Sequence, residues 1–130
     1  MSLKIGEWKL NENGVQLTLD FKNVDSGTGE VFGSIGGVGE CVGVWDETSR
    51  TITLACPISL APLPVGAPPV PPRVYKGFLF STPRNPAPGQ DVVWTLAGFV
   101  QFTDVRSAVG MGGNARRTVF GWFAQITEVG

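Results

Sequence analysis

Val15, Leu17, Leu19 and Phe21 alternate strictly with Gln16, Thr18, Asp20 and Lys22. A period of two sends successive side chains to opposite faces and belongs to a half-buried β-strand. Asn13-Gly14 stands just before it, and both residue types tolerate the positive φ that closes hairpins. With residues 11–14 as the loop, Leu10 faces Val15, Trp8 faces Leu17 and Gly6 faces Leu19. Every large apolar group then shares one side. Glu40–Pro57 passes the same test. With Glu47–Arg50 as the loop, Trp45 lies opposite Ile52, Gly43 opposite Leu54 and Cys41 opposite Cys56. A slip of one residue would scatter these groups over both faces.

The same reading extends over the chain. It predicts strands at Leu3–Leu10, Val15–Asn23, Gly29–Ser34, Val38–Asp46, Thr51–Ile58, Val74–Ser81, Val92–Asp104 and Arg116–Val129, separated by turn clusters. No segment carries an apolar repeat of helical period long enough for a stable helix; one short turn over Asp104–Val109 is the exception allowed. Strands joined by tight connections without helical crossovers pair antiparallel. The expected fold is therefore all-β, an antiparallel eight-stranded up-and-down β-barrel, with a β-sandwich as the alternative. At this strand count a closed sheet holds packed side chains or one small ligand. Glycines at 33, 36, 37, 39 and 43 fall where the third and fourth strands must bend, and barrel curvature is a reason for them.

One domain of 130 residues accounts for the whole chain. The stretch 58–73 interrupts the strand rhythm with six prolines, too many to donate ladder bonds, and reads as an extended proline-rich loop. Ala67–Arg73 also fits the pattern by which proline helices dock on SH3 domains, with Arg73 as the terminal charge. A stiff loop packed across the barrel or against a neighbouring subunit is the simpler expectation. Cys41 and Cys56 are expected as two small apolar residues on the core face, with a disulfide as the alternative that their direct opposition permits.

Lys and Arg number 10 against 11 Asp and Glu, a balance without the footprint of a nucleic-acid or anionic-membrane binder. No apolar run approaches the roughly 20 residues that span a bilayer. No basic-then-apolar leader is visible either, so localisation is open, with the cytoplasm as default. The absence of histidine removes the commonest general base and every Ser-His or Cys-His pair. Two thiols with no histidine are too few soft ligands for tetrahedral zinc. No enzyme activity, metal or cofactor is therefore expected.

Aromatic residues concentrate in the last three strands. In the seventh, Trp94, Leu96, Gly98, Val100 and Phe102 share one face and Thr95, Ala97, Phe99, Gln101 and Thr103 the other. In the eighth, Phe120, Trp122, Ala124 and Ile126 oppose Val119, Gly121, Phe123, Gln125 and Thr127. Both faces carry apolar groups, so one fills the barrel and the other is left outside, which points to a homo-oligomer. Trp94, Trp122, Tyr75 and Phe78 are the candidate ligand-binding residues, since barrel mouths are common binding sites. Trp8 and Trp45 face aliphatic partners in their hairpins and read as core.

Gly6-Glu7-Trp8 resembles the Gly-x-Trp opening of the calycin barrels, the lipocalins and avidins. Trp94 within Val93–Gly98, and Trp122 within Trp122–Thr127, are similar to the late-strand tryptophans of the avidins. The resemblance implies a closed eight-stranded meander with Trp8 plugging one end and late tryptophans lining a small-molecule pocket. It also implies that Arg116 or Arg117 stacks on Trp8. Leu10, Thr95 and Ala97 stand where the avidins carry ligand-binding Asn, Ser and Gln. The functional expectation is a non-catalytic barrel for a small apolar or amphipathic molecule that assembles with copies of itself. The alternative is a structural or assembly protein with a filled barrel and an aromatic self-association surface.

Overall fold

The computed structural model describes residues 3–56, 72–108 and 112–130, the side chains of 103–116 excepted. Eight strands, β1 (Gly6–Glu12), β2 (Val15–Val24), β3 (Glu30–Ile35), β4 (Gly39–Asp46), β5 (Thr51–Cys56), β6 (Arg73–Thr82), β7 (Val92–Ala108) and β8 (Gly112–Glu128), follow one another in chain order. Each pairs antiparallel with the next, and the sheet closes where Leu10 of β1 meets Ala124 of β8. This is the up-and-down barrel, not the sandwich. Closure leaves no edge strand among the described residues.

The first hairpin is tighter than the sequence suggested. Asn13 and Gly14 both have positive φ, 49° and 85°, as a two-residue type I′ turn requires, and the Asn11 side chain accepts from the Gly14 N–H at 3.1 Å. The strands consequently run two residues closer to the turn. Leu10 pairs with Leu17, Trp8 with Leu19 and Gly6 with Phe21. An even shift keeps every side chain on its face, and Glu12 joins the strand; Trp8, Leu10, Leu19 and Phe21 are buried as expected, whereas Val15, now opposite Glu12 beside the turn, is exposed. The β4–β5 hairpin has the expected register, Trp45 opposite Ile52 and Gly43 opposite Leu54. Its turn is held by Asp46, whose carboxylate accepts from the Thr48 and Ser49 N–H groups at 2.9 and 3.3 Å.

Three expectations change. Cys41 and Cys56 are joined in a disulfide with Cα atoms 4.3 Å apart, as directly opposed residues of neighbouring strands can be; they are not a reduced apolar pair. Asp104–Ala108 is strand rather than a helical turn, because β7 and β8 continue pairing from Val92↔Glu128 out to Ala108↔Gly112. That ladder satisfies backbone groups which a lone helical turn would leave open. Arg73 opens β6, opposite Cys56, instead of ending the preceding loop. The remainder of the proline-rich loop over 58–73, up to residue 71, lies outside the described residues, as does Val109 at the end of the expected helical turn.

Inside, Trp8, Leu10, Leu19, Phe21, Ile52 and Leu54 are almost wholly buried, each aliphatic group worth about 2 kcal/mol in removed apolar surface. Trp8 meets Phe21 edge to face at 5.9 Å. The inward glycines allow strands to approach closely. A Cβ on Gly98 would fall 1.9 Å from the Lys76 carbonyl oxygen, and one on Gly77 only 2.8 Å from Trp122 Cζ2. The Trp122 ring therefore lies across the barrel over β6.

Candidate functional site

The two ends of the barrel differ in chemistry. At the end where β1 begins and β8 finishes, the indole N–H groups are matched. Trp8 Nε1 donates to the Lys4 carbonyl at 3.0 Å, Trp45 Nε1 to Glu47 at 2.6 Å and Trp94 Nε1 to Glu128 at 2.9 Å. Lys4 also bridges to Glu128 at 2.8 Å. With Lys4 and Trp94 bonding it, the Glu128 carboxyl is held below its ordinary value. Here Trp8 is fully buried.

The opposite end, where β1 turns into β2 and β6 begins, carries a polar cluster inside the barrel. Glu12 is last in the inward series Trp8, Leu10, Glu12, and it sits opposite Trp122 of β8. Its side chain is only 9% exposed and bonds to Arg73 Nη2 at 2.7 Å. The Tyr75 hydroxyl donates to the other Glu12 oxygen at 2.6 Å. Arg73 and Tyr75 are alternate residues of β6, so both point inward for the reason that Lys76 and Phe78 point outward. Burial first, and then the bond to Glu12, pushes the Tyr75 phenol well above its ordinary value. It therefore remains a donor throughout the neutral range.

Aromatic walls complete the cluster. Tyr75 meets Trp122 edge to face at 5.6 Å. The Arg73 guanidinium lies 4.8 Å from the Phe102 ring centre, and Phe102 contacts Phe120 at 5.5 Å. A guanidinium on an aromatic face keeps its charge stabilised after it leaves water. Two donors nevertheless remain unmatched: Arg73 Nε and Trp122 Nε1 are the buried side-chain polar atoms without a hydrogen-bond partner among the described residues. Leaving such a group unmade costs on the order of 1–3 kcal/mol.

The four residues expected to bind ligand therefore separate. Tyr75 and Trp122 come together in this cluster. Trp94 is inward but occupied by Glu128 at the terminal end. Phe78 is outside the barrel, half exposed beside Phe80, because it lies an odd number of residues from Tyr75. Glu12 and Arg73 were missed. Their signal is the continuation of period two: Glu12 is in phase with Leu10, and Arg73 with Tyr75. Arg117 does not stack on Trp8 but bonds to Gln101 on the outer face at 2.7 Å; the Arg116 side chain is not among those described.

The outer face of β6, β7 and β8 is as apolar as expected. Phe99 is 67% exposed, and Phe78, Val119 and Phe123 are also open. Val74, Lys76, Phe99, Gln101, Arg117 and Val119 border a shallow groove there of about 430 Å³.

The architecture is that of a closed eight-stranded antiparallel barrel, consistent with a calycin-like fold. The chain matches no known protein family, no curated protein and no solved structure at a significant level.

Proposed function

We propose that this is a non-catalytic binding barrel, akin to the avidins, which takes a small apolar or amphipathic molecule at the Glu12–Arg73–Tyr75–Trp122 end and assembles with copies of itself. The observation that carries the reading is the pair of buried N–H groups on Arg73 and Trp122 without partners. Buried donors in folded proteins are matched by protein, water or ligand, and at the other end the indoles are matched by the chain itself. Aromatic walls around a few convergent polar groups are the usual make-up of a small-molecule site. Glu12 supports a binding role over catalysis, since Arg73 and Tyr75 already engage both its oxygens. A carboxylate so held is poorly placed to take a proton from a substrate.

A second reading, an assembly protein with a filled barrel, draws on Phe99, Phe78 and Phe123, which are exposed on the outer face of β6–β8 where a partner copy could cover them. Native mass spectrometry of freshly purified protein tests both. An oligomer carrying extra mass that leaves on denaturation is the expected result. An oligomer without it favours the assembly reading. A bare monomer overturns both.

A further inference from the structure

We infer that the molecule held at the Arg73–Trp122 end presents an uncharged hydrogen-bond acceptor, an ester, ketone or amide carbonyl on an apolar body, and that fatty carboxylates are rejected. The inference deepens the binding reading above and rests on it.

Three observations lead there. First, the unmatched buried atoms are both donors, and among the described residues no buried side-chain acceptor is left open. The missing complement is thus an acceptor. Second, the cluster is already neutral. The charge of Arg73 is met by Glu12 at 2.7 Å, and the other Glu12 oxygen accepts from Tyr75 at 2.6 Å. A carboxylate arriving beside Arg73 would set two anions on one guanidinium in a site shielded from water. Like charges placed so close oppose each other strongly, and the desolvation of the newcomer would go uncompensated. A carbonyl oxygen can accept from a neutral indole or from the guanidinium edge without adding charge. Third, the surrounding surface is aromatic: Phe102 and Phe120 contact each other at 5.5 Å, and Tyr75 contacts Trp122 at 5.6 Å. Such walls favour an apolar body over a phosphate.

The test uses three probes with the same chain and different heads: methyl octanoate, octanoate and octylammonium. Each is titrated at neutral pH into the intact protein, with affinity read by calorimetry and the Trp122 indole N–H followed by NMR. Methyl octanoate is expected to bind at least about tenfold more tightly than octanoate, and the Trp122 indole proton to shift as it binds. Arg73→Lys retains a charge for Glu12 but lacks the Nε donor, and is expected to weaken the ester while leaving octanoate unimproved. Octanoate or octylammonium binding as tightly as the ester would overturn the inference while leaving a binding barrel intact. So would ester binding that leaves the Trp122 indole proton unmoved. If none of the three binds, the binding reading fails and takes the inference with it.

Discussion

Replacing Tyr75 by Phe removes one oxygen and little else. The ring keeps its edge-to-face contact with Trp122 at 5.6 Å, and the barrel gains no methyl-sized void. What is lost is the 2.6 Å hydrogen bond to Glu12, whose carboxylate then keeps Arg73 as its partner at this end. Hydrogen bonds to charged groups are worth about 1.5–3 kcal/mol, and the open acceptor adds to the loss. Tyr75→Phe should therefore lower the unfolding free energy by about 2 kcal/mol, roughly 30-fold in the folding equilibrium. Urea denaturation followed by tryptophan fluorescence measures this, and the slope against urea should not change. In a Glu12→Gln background the same substitution should cost less than about 1 kcal/mol, since the charge-assisted part has gone. A cost below about 0.5 kcal/mol in the parent protein, typical of a neutral surface change, would refute the placement of Tyr75 on Glu12.

The Cys41–Cys56 bridge closes a 15-residue separation; reduction, or Cys41→Ser with Cys56→Ser, should cost about 3 kcal/mol by loop-closure entropy, measured by denaturation with and without reductant. Gly98→Ala should destabilise by more than about 2 kcal/mol, because its Cβ would meet the Lys76 and Gly77 backbone at 1.9 and 2.6 Å and overpacking against rigid strands finds no relief. Thermal melts should show it. Asp25 and Asp46, bonded by backbone N–H groups, and Glu128, bonded by Lys4 and Trp94, have carboxyls held below their ordinary values of 3.8, 3.8 and 4.5. For lowered values the stabilising part is present above the ordinary range and is lost as pH falls through the folded ones. The melting temperature should thus begin to fall near pH 4.5 and continue downward, and a rise on acidification would contradict these contacts.

Most of the fold is legible in period two and turn chemistry. Val15–Lys22 fixes a strand and its inward face, and Trp45 opposite Ile52 fixes a register. Patterning makes the β1–β2 turn two residues too long, because Asn11 and Glu12 are polar and polar residues next to Asn-Gly look like loop. The same feature hides the cluster: Glu12 is an acid on an inward face, a position that patterning assigns to apolar groups, and Arg73 and Tyr75 of β6 make it tolerable. A partner 61 residues away leaves no local trace. The outward position of Phe78 is hidden for the opposite reason. Strands β6 to β8 are apolar on both faces, so alternation names two faces without saying which is inside. That choice follows from Gly77 and Gly98, whose missing side chains make room within the barrel for Trp122 and for close strand approach. The disulfide was open because strand opposition brings two thiols together without deciding their redox state.

Tyr75 is the chain's single tyrosine, so the ultraviolet absorbance of its phenolate reports on the polar cluster without labels. The buried phenol bonded to Glu12 holds its proton beyond the ordinary value of 10.0. Its contribution to stability is complete below that pH, then falls by up to about 1.4 kcal/mol per pH unit above it. In an alkaline titration, phenolate should form only well above pH 10, together with loss of the native tryptophan signal. A reversible phenolate titration centred at the ordinary 10.0, with the barrel still folded, would place Tyr75 in water and contradict the existence of the cluster.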